Sequence, residues 1–104
     1  MYSQTFDEHK LTDNRFLAIK EHLYTSLKEE GVILSLKNGK YYGVNSVGAC
    51  IWTAIQNPVT FKEIQSAVMQ EYEVEREVCE KEIIAFLQKM KEEELVEILD
   101  AETV

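Results

Sequence analysis

The segment Gly31–Trp52, GVILSLKNGKYYGVNSVGACIW, constrains this chain most, because two strand-like runs, a turn and a helix start follow one another with no spacer. Val32, Ile33, Leu34 and Leu36 are β-branched or apolar, and Lys40-Tyr41-Tyr42-Gly43-Val44 resumes an extended pattern. Between them Lys37-Asn38-Gly39 supplies the positive φ that a tight hairpin turn needs, so the chain doubles back there. Asn45-Ser46 then offers a side-chain oxygen to the free N–H groups of a following helix, whose apolar positions Val47, Ile51 and Ile55 recur every four residues beside Trp52. The spacing predicts a hairpin joined directly to a helix, with Trp52 as its core anchor.

Downstream, Gln56-Asn57-Pro58 ends this helix, since proline disfavours helical geometry in the residue before it. Thr60 with Glu63 three residues on is a capping-box pattern and predicts a second helix to about Tyr72, burying Phe61, Ile64, Val68 and Tyr72. A third helix is expected from about Glu75 to Glu93, with Cys79, Ile83, Phe86, Leu87 and Met90 toward the core. Leu95-Val96-Glu97-Ile98 reads as a short closing strand or a tail. Upstream the pattern is ambiguous: Phe16, Ile19, Leu23 and Leu27 fit one helical face, while Leu23, Thr25 and Leu27 alternate with His22, Tyr24 and Ser26 as in a strand. The polar, aperiodic start suggests a flexible or irregular arm over residues 1–20, then one domain over 21–99 and a tail over 100–104.

The run YYGVNSVGACIW, followed by Pro58-Val59-Thr60-Phe61-Lys62-Glu63-Ile64 and by Glu82-Ile83-Ile84-Ala85-Phe86-Leu87-Gln88-Lys89-Met90, resembles the family of coenzyme PQQ synthesis protein D. Relatives of that family include small stand-alone recognition proteins of lasso peptide pathways. The resemblance extends over about Leu23 to Val96. It implies an α+β, winged-helix-like domain in which a three-stranded antiparallel sheet is followed by three helices. It thereby favours a strand at His22 to Leu27 that turns through Lys28-Glu29-Glu30-Gly31 into the hairpin.

The same resemblance implies a function: capture, without catalysis, of the leader segment of a ribosomally made precursor peptide for a partner enzyme. In the lasso branch the partners are a leader protease and then a cyclase, and in other branches a radical SAM enzyme; the length and the YYGVN…IW stretch look closer to the lasso kind. The leader is implied to lie between the third strand and the third helix, and Glu82 stands where the family usually has an acidic residue.

A physical route to such binding is visible in the residues themselves. A third strand held by one neighbour leaves a row of unpaired backbone groups, and Lys40, Tyr41, Tyr42, Gly43 and Val44 include no proline to blunt it. A peptide can add there as a further strand, gaining affinity from main-chain hydrogen bonds and selectivity from pockets. Val78, Glu82, Ala85 and Lys89 share one flank of the third helix beside the core residue Phe86, and would wall the groove. Plainer roles are open to several of these: half-buried strand aromatics for Tyr41 and Tyr42, a bulge or close packing for Gly43, helix packing for Ala85.

Charge and composition narrow the other classes. A chain of 104 residues supports one domain burying roughly 65% of the surface its unfolded form exposes. With Lys+Arg of 11 against Asp+Glu of 19, a net charge of −8 repels nucleic acid and anionic membranes. A DNA-binding winged helix would carry a basic recognition helix, whereas the third helix reads EREVCEKEIIAFLQKMKEEE. The start MYSQTFDEHK lacks the basic and apolar regions of a signal peptide, so a cytoplasmic protein with thiols and no disulfide is expected. Cys50, Cys79, His9 and His22 have no paired zinc-ligand spacing, and Cys79 sits among glutamates that would raise a thiol pKa. No phosphate-binding loop or nucleophile elbow occurs, so no catalytic group, metal or cofactor is expected. The remaining rival is a structural subunit that dimerises through its exposed strand.

Overall fold

In the computed structural model, which describes residues 14–99, the hairpin forms as its turn chemistry dictates. The elements run β1 (Arg15–Ala18), β2 (His22–Leu27), β3 (Glu30–Ser35), β4 (Tyr41–Val44), α1 (Ser46–Ala54), β5 (Val59–Thr60), α2 (Phe61–Glu71), α3 (Arg76–Glu92) and β6 (Val96–Leu99). Gly39 closes the β3–β4 turn at φ 74°, with its N–H on the Ser35 carbonyl at 2.8 Å and Asn38 Oδ1 accepting from Lys40 N at 2.8 Å. β2 pairs along the other side of β3, which gives the expected three-stranded antiparallel sheet in the order β2-β3-β4.

The strand expected at His22 to Leu27 is present with those bounds, and the helical alternative for residues 15–27 falls away. Its polar side turns inward: His22 and Tyr24 are half-buried while Leu23 is 57% exposed. The tertiary reason is at hand, since the His22 ring meets buried Trp52 edge to face at 4.8 Å and its Nδ1–H donates to the Ile19 carbonyl at 2.7 Å. Residues 15–18, assigned to an arm, are the middle strand of a second sheet in the order β5-β1-β6, with Arg15 opposite both Thr60 and Leu99. Phe16, Ala18 and Ile19 are buried in the core. A four-residue strand is too short to show a period, and its partners come from distant parts of the chain. The remainder of the supposed arm, residues 1–13 with His9, and the tail 100–104 lie outside the described residues. The winged-helix comparison holds in outline, with this second sheet added to it.

Each helix start and stop has a local cause. Asn45 Oδ1 accepts from Gly48 N at 2.8 Å and caps α1 one residue after β4 ends, which leaves strand and helix no freedom to move apart. Gly48 permits that closeness: a Cβ there would sit 3.1 Å from both Phe86 Cε1 and Val44 Cβ. At α2 the capping box is complete, with Thr60 Oγ1 accepting from Glu63 N at 3.2 Å and Glu63 Oε1 accepting from Thr60 N at 2.9 Å. Thr60→Ala is expected to lower unfolding stability by about 1 kcal/mol in a urea titration, with peptide binding unaffected. α3 ends in a left-handed residue, Glu94 at φ 62°, and Leu95 N bonds back to the Met90 carbonyl at 2.8 Å. This stop turns the chain into β6 and sets Glu93 at the end of the helix.

The core lies between the β2-β3-β4 sheet and the helices. Ile33, Ile51, Trp52, Ile55, Ile64, Val68, Cys79, Ile83, Leu87 and Leu95 are buried within it, as the helical periodicity requires. Trp52 is the expected anchor, although its Nε1 has no acceptor among the described residues. β6 confirms the closing-strand reading of the C-terminal segment.

Candidate peptide-binding groove

β4 has one neighbour in its sheet, and the hydrogen-bond parity of that pairing can be worked out. Ser35 N donates to the Lys40 carbonyl at 2.9 Å, so Ser35 and Lys40 form a bonded pair, and in the same register so do Ile33 with Tyr42 and Gly31 with Val44. On the other side of β3, Leu36 N donates to the Glu21 carbonyl at 3.0 Å, which assigns the even-numbered residues of β3 to β2 and agrees with the first result. Tyr41 and Gly43 therefore direct their N–H and C=O groups away from β3, toward the open margin of the sheet. Lys40, Tyr42 and Val44 spend theirs on the hairpin.

A groove runs beside this margin, between β4 and α3. Its larger hollow, about 460 Å³, is lined by Tyr41, Tyr42, Gly43, Val44, Asn45, Gly48, Ala85, Phe86, Lys89 and Met90. A second of about 230 Å³ shares Asn45, Gly48, Ala85 and Phe86 and continues past Glu82, Val47 and Ile51. The walls are joined at both ends. At the α1 end Val44, Gly48 and Phe86 are in contact distance of a common point. At the hairpin end the Tyr42 hydroxyl donates to Glu93 Oε1 at 2.6 Å and accepts from Asn38 Nδ2 at 3.0 Å, while Lys37 pairs with Glu94 at 3.2 Å. The Glu93 carboxylate raises the Tyr42 phenol above its ordinary pKa.

Of the ten residues singled out from the sequence, the structure gathers Tyr41, Tyr42, Gly43, Val44, Glu82, Ala85, Phe86 and Lys89 along these two hollows. Lys40 and Val78 line neither: Lys40 is taken up by the turn, and Val78, 46% exposed, lies one turn of α3 beyond Glu82. Sequence reasoning missed Asn45, Val47, Gly48, Ile51 and Met90 as lining residues, having assigned Asn45 to capping alone and Val47, Ile51 and Met90 to helix faces. The glycine in the first turn of α1 was the available signal. Gly43 serves neither a bulge nor close packing, since the β3–β4 register is unbroken and a Cβ at Gly43 would meet nothing within 4 Å.

Other chemistry finds little here. Burial, with Glu71 nearby, raises the Cys50 thiol pKa, and burial with Glu82 and Glu80 raises that of Cys79, so both free thiols are held away from the nucleophilic form. Among the described residues no group of three or more His, Cys, Asp and Glu side chains is placed to hold a metal ion, and no helix is long and apolar enough to cross a membrane.

Residues 30–96, from β3 to the start of β6, match the family described as coenzyme PQQ synthesis protein D, PqqD. The chain belongs to the PqqD family. Among solved structures it is similar to TbiB1 in complex with the TbiA(beta) leader peptide, at 30% identity and a TM-score of 0.70 over 78% of this chain and 94% of that one. Two further likenesses concern the fold. One is a lasso peptide synthetase B1 complexed with its leader peptide, at 24% identity and a TM-score of 0.66 over 79% of this chain and 96% of that one. The other is the PqqD truncation of Methylobacterium extorquens PqqCD, a stand-alone RiPP recognition element, at 12% identity and a TM-score of 0.65 over 80% of this chain and 88% of that one. No curated sequence is significantly similar to the chain. The PqqD match begins at β3 and so omits β1 and β2, while the structural likenesses extend beyond it.

Proposed function

We propose that this protein is a non-enzymatic recognition element that binds the leader of a ribosomally synthesised precursor peptide and presents it to a processing enzyme, a leader protease in a lasso peptide pathway. The observation that carries this reading is the open backbone margin at Tyr41 and Gly43 beside a largely apolar groove, in a PqqD-family chain 30% identical to a protein solved with a leader peptide. A leader adding as a strand to β4 would satisfy those N–H and C=O groups and set alternate side chains against Val44, Ala85 and Phe86. Burial and neighbouring carboxylates raise both thiols, which disfavours a cysteine nucleophile. With four acidic and four basic residues over Arg76–Glu92, α3 carries no net positive charge, which disfavours the DNA-reading alternative.

Titration with the leader of the precursor peptide from the same gene cluster is expected to give a Kd of roughly 10 nM to 1 µM, because ordering a disordered leader offsets several kcal/mol of contact energy. Absence of binding at tens of micromolar would overturn the reading. Ala85 is exposed and lines both hollows, so Ala85→Trp is expected to fill the groove and weaken binding at least about tenfold while unfolding stability stays within about 0.5 kcal/mol. Unchanged affinity in that variant would move the site elsewhere.

A further inference from the structure

The groove is nearly free of charge, and the two exceptions are arranged as a pair. Among the described residues lining its two hollows, Glu82 and Lys89 alone carry charge, and they have opposite signs. Glu82 lies with Asn45, Val47 and Ile51 where β4 gives way to α1; Lys89 lies with Tyr41 and Tyr42 near the hairpin turn. They stand a heptad apart on α3, hence on one face and about 10 Å apart along the axis. Neither enters an ion pair among the described residues, and both are exposed. Of the two carboxylates one turn beyond Lys89, Glu93 is engaged by the Tyr42 hydroxyl and Glu92 lines a separate hollow with Lys37 and Asn38 of the hairpin turn.

Resting on the strand-addition reading above, we infer that Glu82 and Lys89 fix the direction and register of the bound peptide by selecting a basic side chain followed, toward the C-terminus, by an acidic one. A guest antiparallel to β4, the more stable pairing, passes Glu82 first and Lys89 second. An extended chain covers 10 Å in about three residues, and side chains on one face recur at even spacing, so the two charges fall two or four residues apart. Lys89 matters more than an ordinary surface lysine does, because a domain of net charge −8 otherwise repels an acidic guest. A peptide entering the other way brings like charges together at both ends, which costs affinity and excludes that direction.

The test uses the full chain as bait for a displayed library of random ten-residue peptides. Enriched sequences are expected to place Lys or Arg before Asp or Glu at a separation of two or four. Interchanging the two charges in an enriched peptide should weaken its binding about fivefold to tenfold. The double variant Glu82→Lys with Lys89→Glu, whose changed side chains are exposed and leave the core untouched, should enrich the opposite order. Enrichment without a charge order, or the same order in the double variant, overturns the inference and leaves strand addition standing. A folded bait that enriches no peptide overturns strand addition and the inference with it.

Discussion

Gly43→Pro is expected to weaken leader binding about a hundredfold and leave the domain folded, whereas Tyr42→Pro, one residue away, is expected to unpair the hairpin. The contrast follows from the parity of β4. Gly43 directs its N–H to the open margin, so a proline there removes a donor that the hairpin does not use. The site has room, since nothing lies within 4 Å of a Cβ at Gly43, and its backbone is not in the left-handed region. A guest then loses one hydrogen bond and is left with an unpaired carbonyl in a partly desolvated groove, together about 3 kcal/mol, or about two decades in Kd. At Tyr42 the missing donor belongs to the pair with Ile33, the ring replaces a side chain bonded to Glu93 and Asn38, and the groove loses a wall. Calorimetric titration of Gly43→Pro, with circular dichroism of both variants, separates the cases. Normal binding by a folded Gly43→Pro protein would rule out strand addition at β4.

What could be read from the sequence follows the range of the interactions concerned. The turn at Asn38-Gly39, the Asn45 cap and the Thr60/Glu63 box act over a few residues, and each left a pattern that fixed its element almost to the residue. The helix faces were equally legible, because eleven to seventeen residues are enough to display a period. β1 and β5 left no such pattern: with four and two residues they exist because β6 and the start of α2 lie beside them, which is information held elsewhere in the chain. β2 was legible as a strand but not in its facing. Its apolar Leu23 faces outward in line with Leu34 and Tyr41 across the sheet, and its inward side is held by the contacts of His22 with Trp52 and Ile19. Alternation left helix and strand open and the family resemblance decided for the strand, but which side faces the core depends on residues of other elements. The groove was half legible: its edge and helix wall came from pattern, its floor at Gly48 and its tie between Tyr42 and Glu93 did not, because both are made by residues brought together from separate elements.

The second sheet gives the other large expected effect. Phe16→Ala should destabilise the domain by about 4 kcal/mol, because it empties a side chain 1% exposed in the middle strand of that sheet. Domains of this size are stable by only about 5–15 kcal/mol, so the variant should sit near the edge of folding at 37 °C. Removal of residues 1–20 should go further, since β1 is the one strand that joins β5 to β6. A flexible arm could be removed at no cost, and a truncated chain that melts at the parent temperature would show β1 to be dispensable. The loss should also reach the groove. Ile19 N bonds to the Leu95 carbonyl at 3.0 Å, and Leu95 N closes the end of α3, the turn that presents Glu93 to Tyr42. Through this helix end, peptide binding at the proposed groove is expected to depend on the N-terminal strand. Saturating leader should accordingly raise the melting temperature of Phe16→Ala, as it must for any ligand that binds the folded state alone.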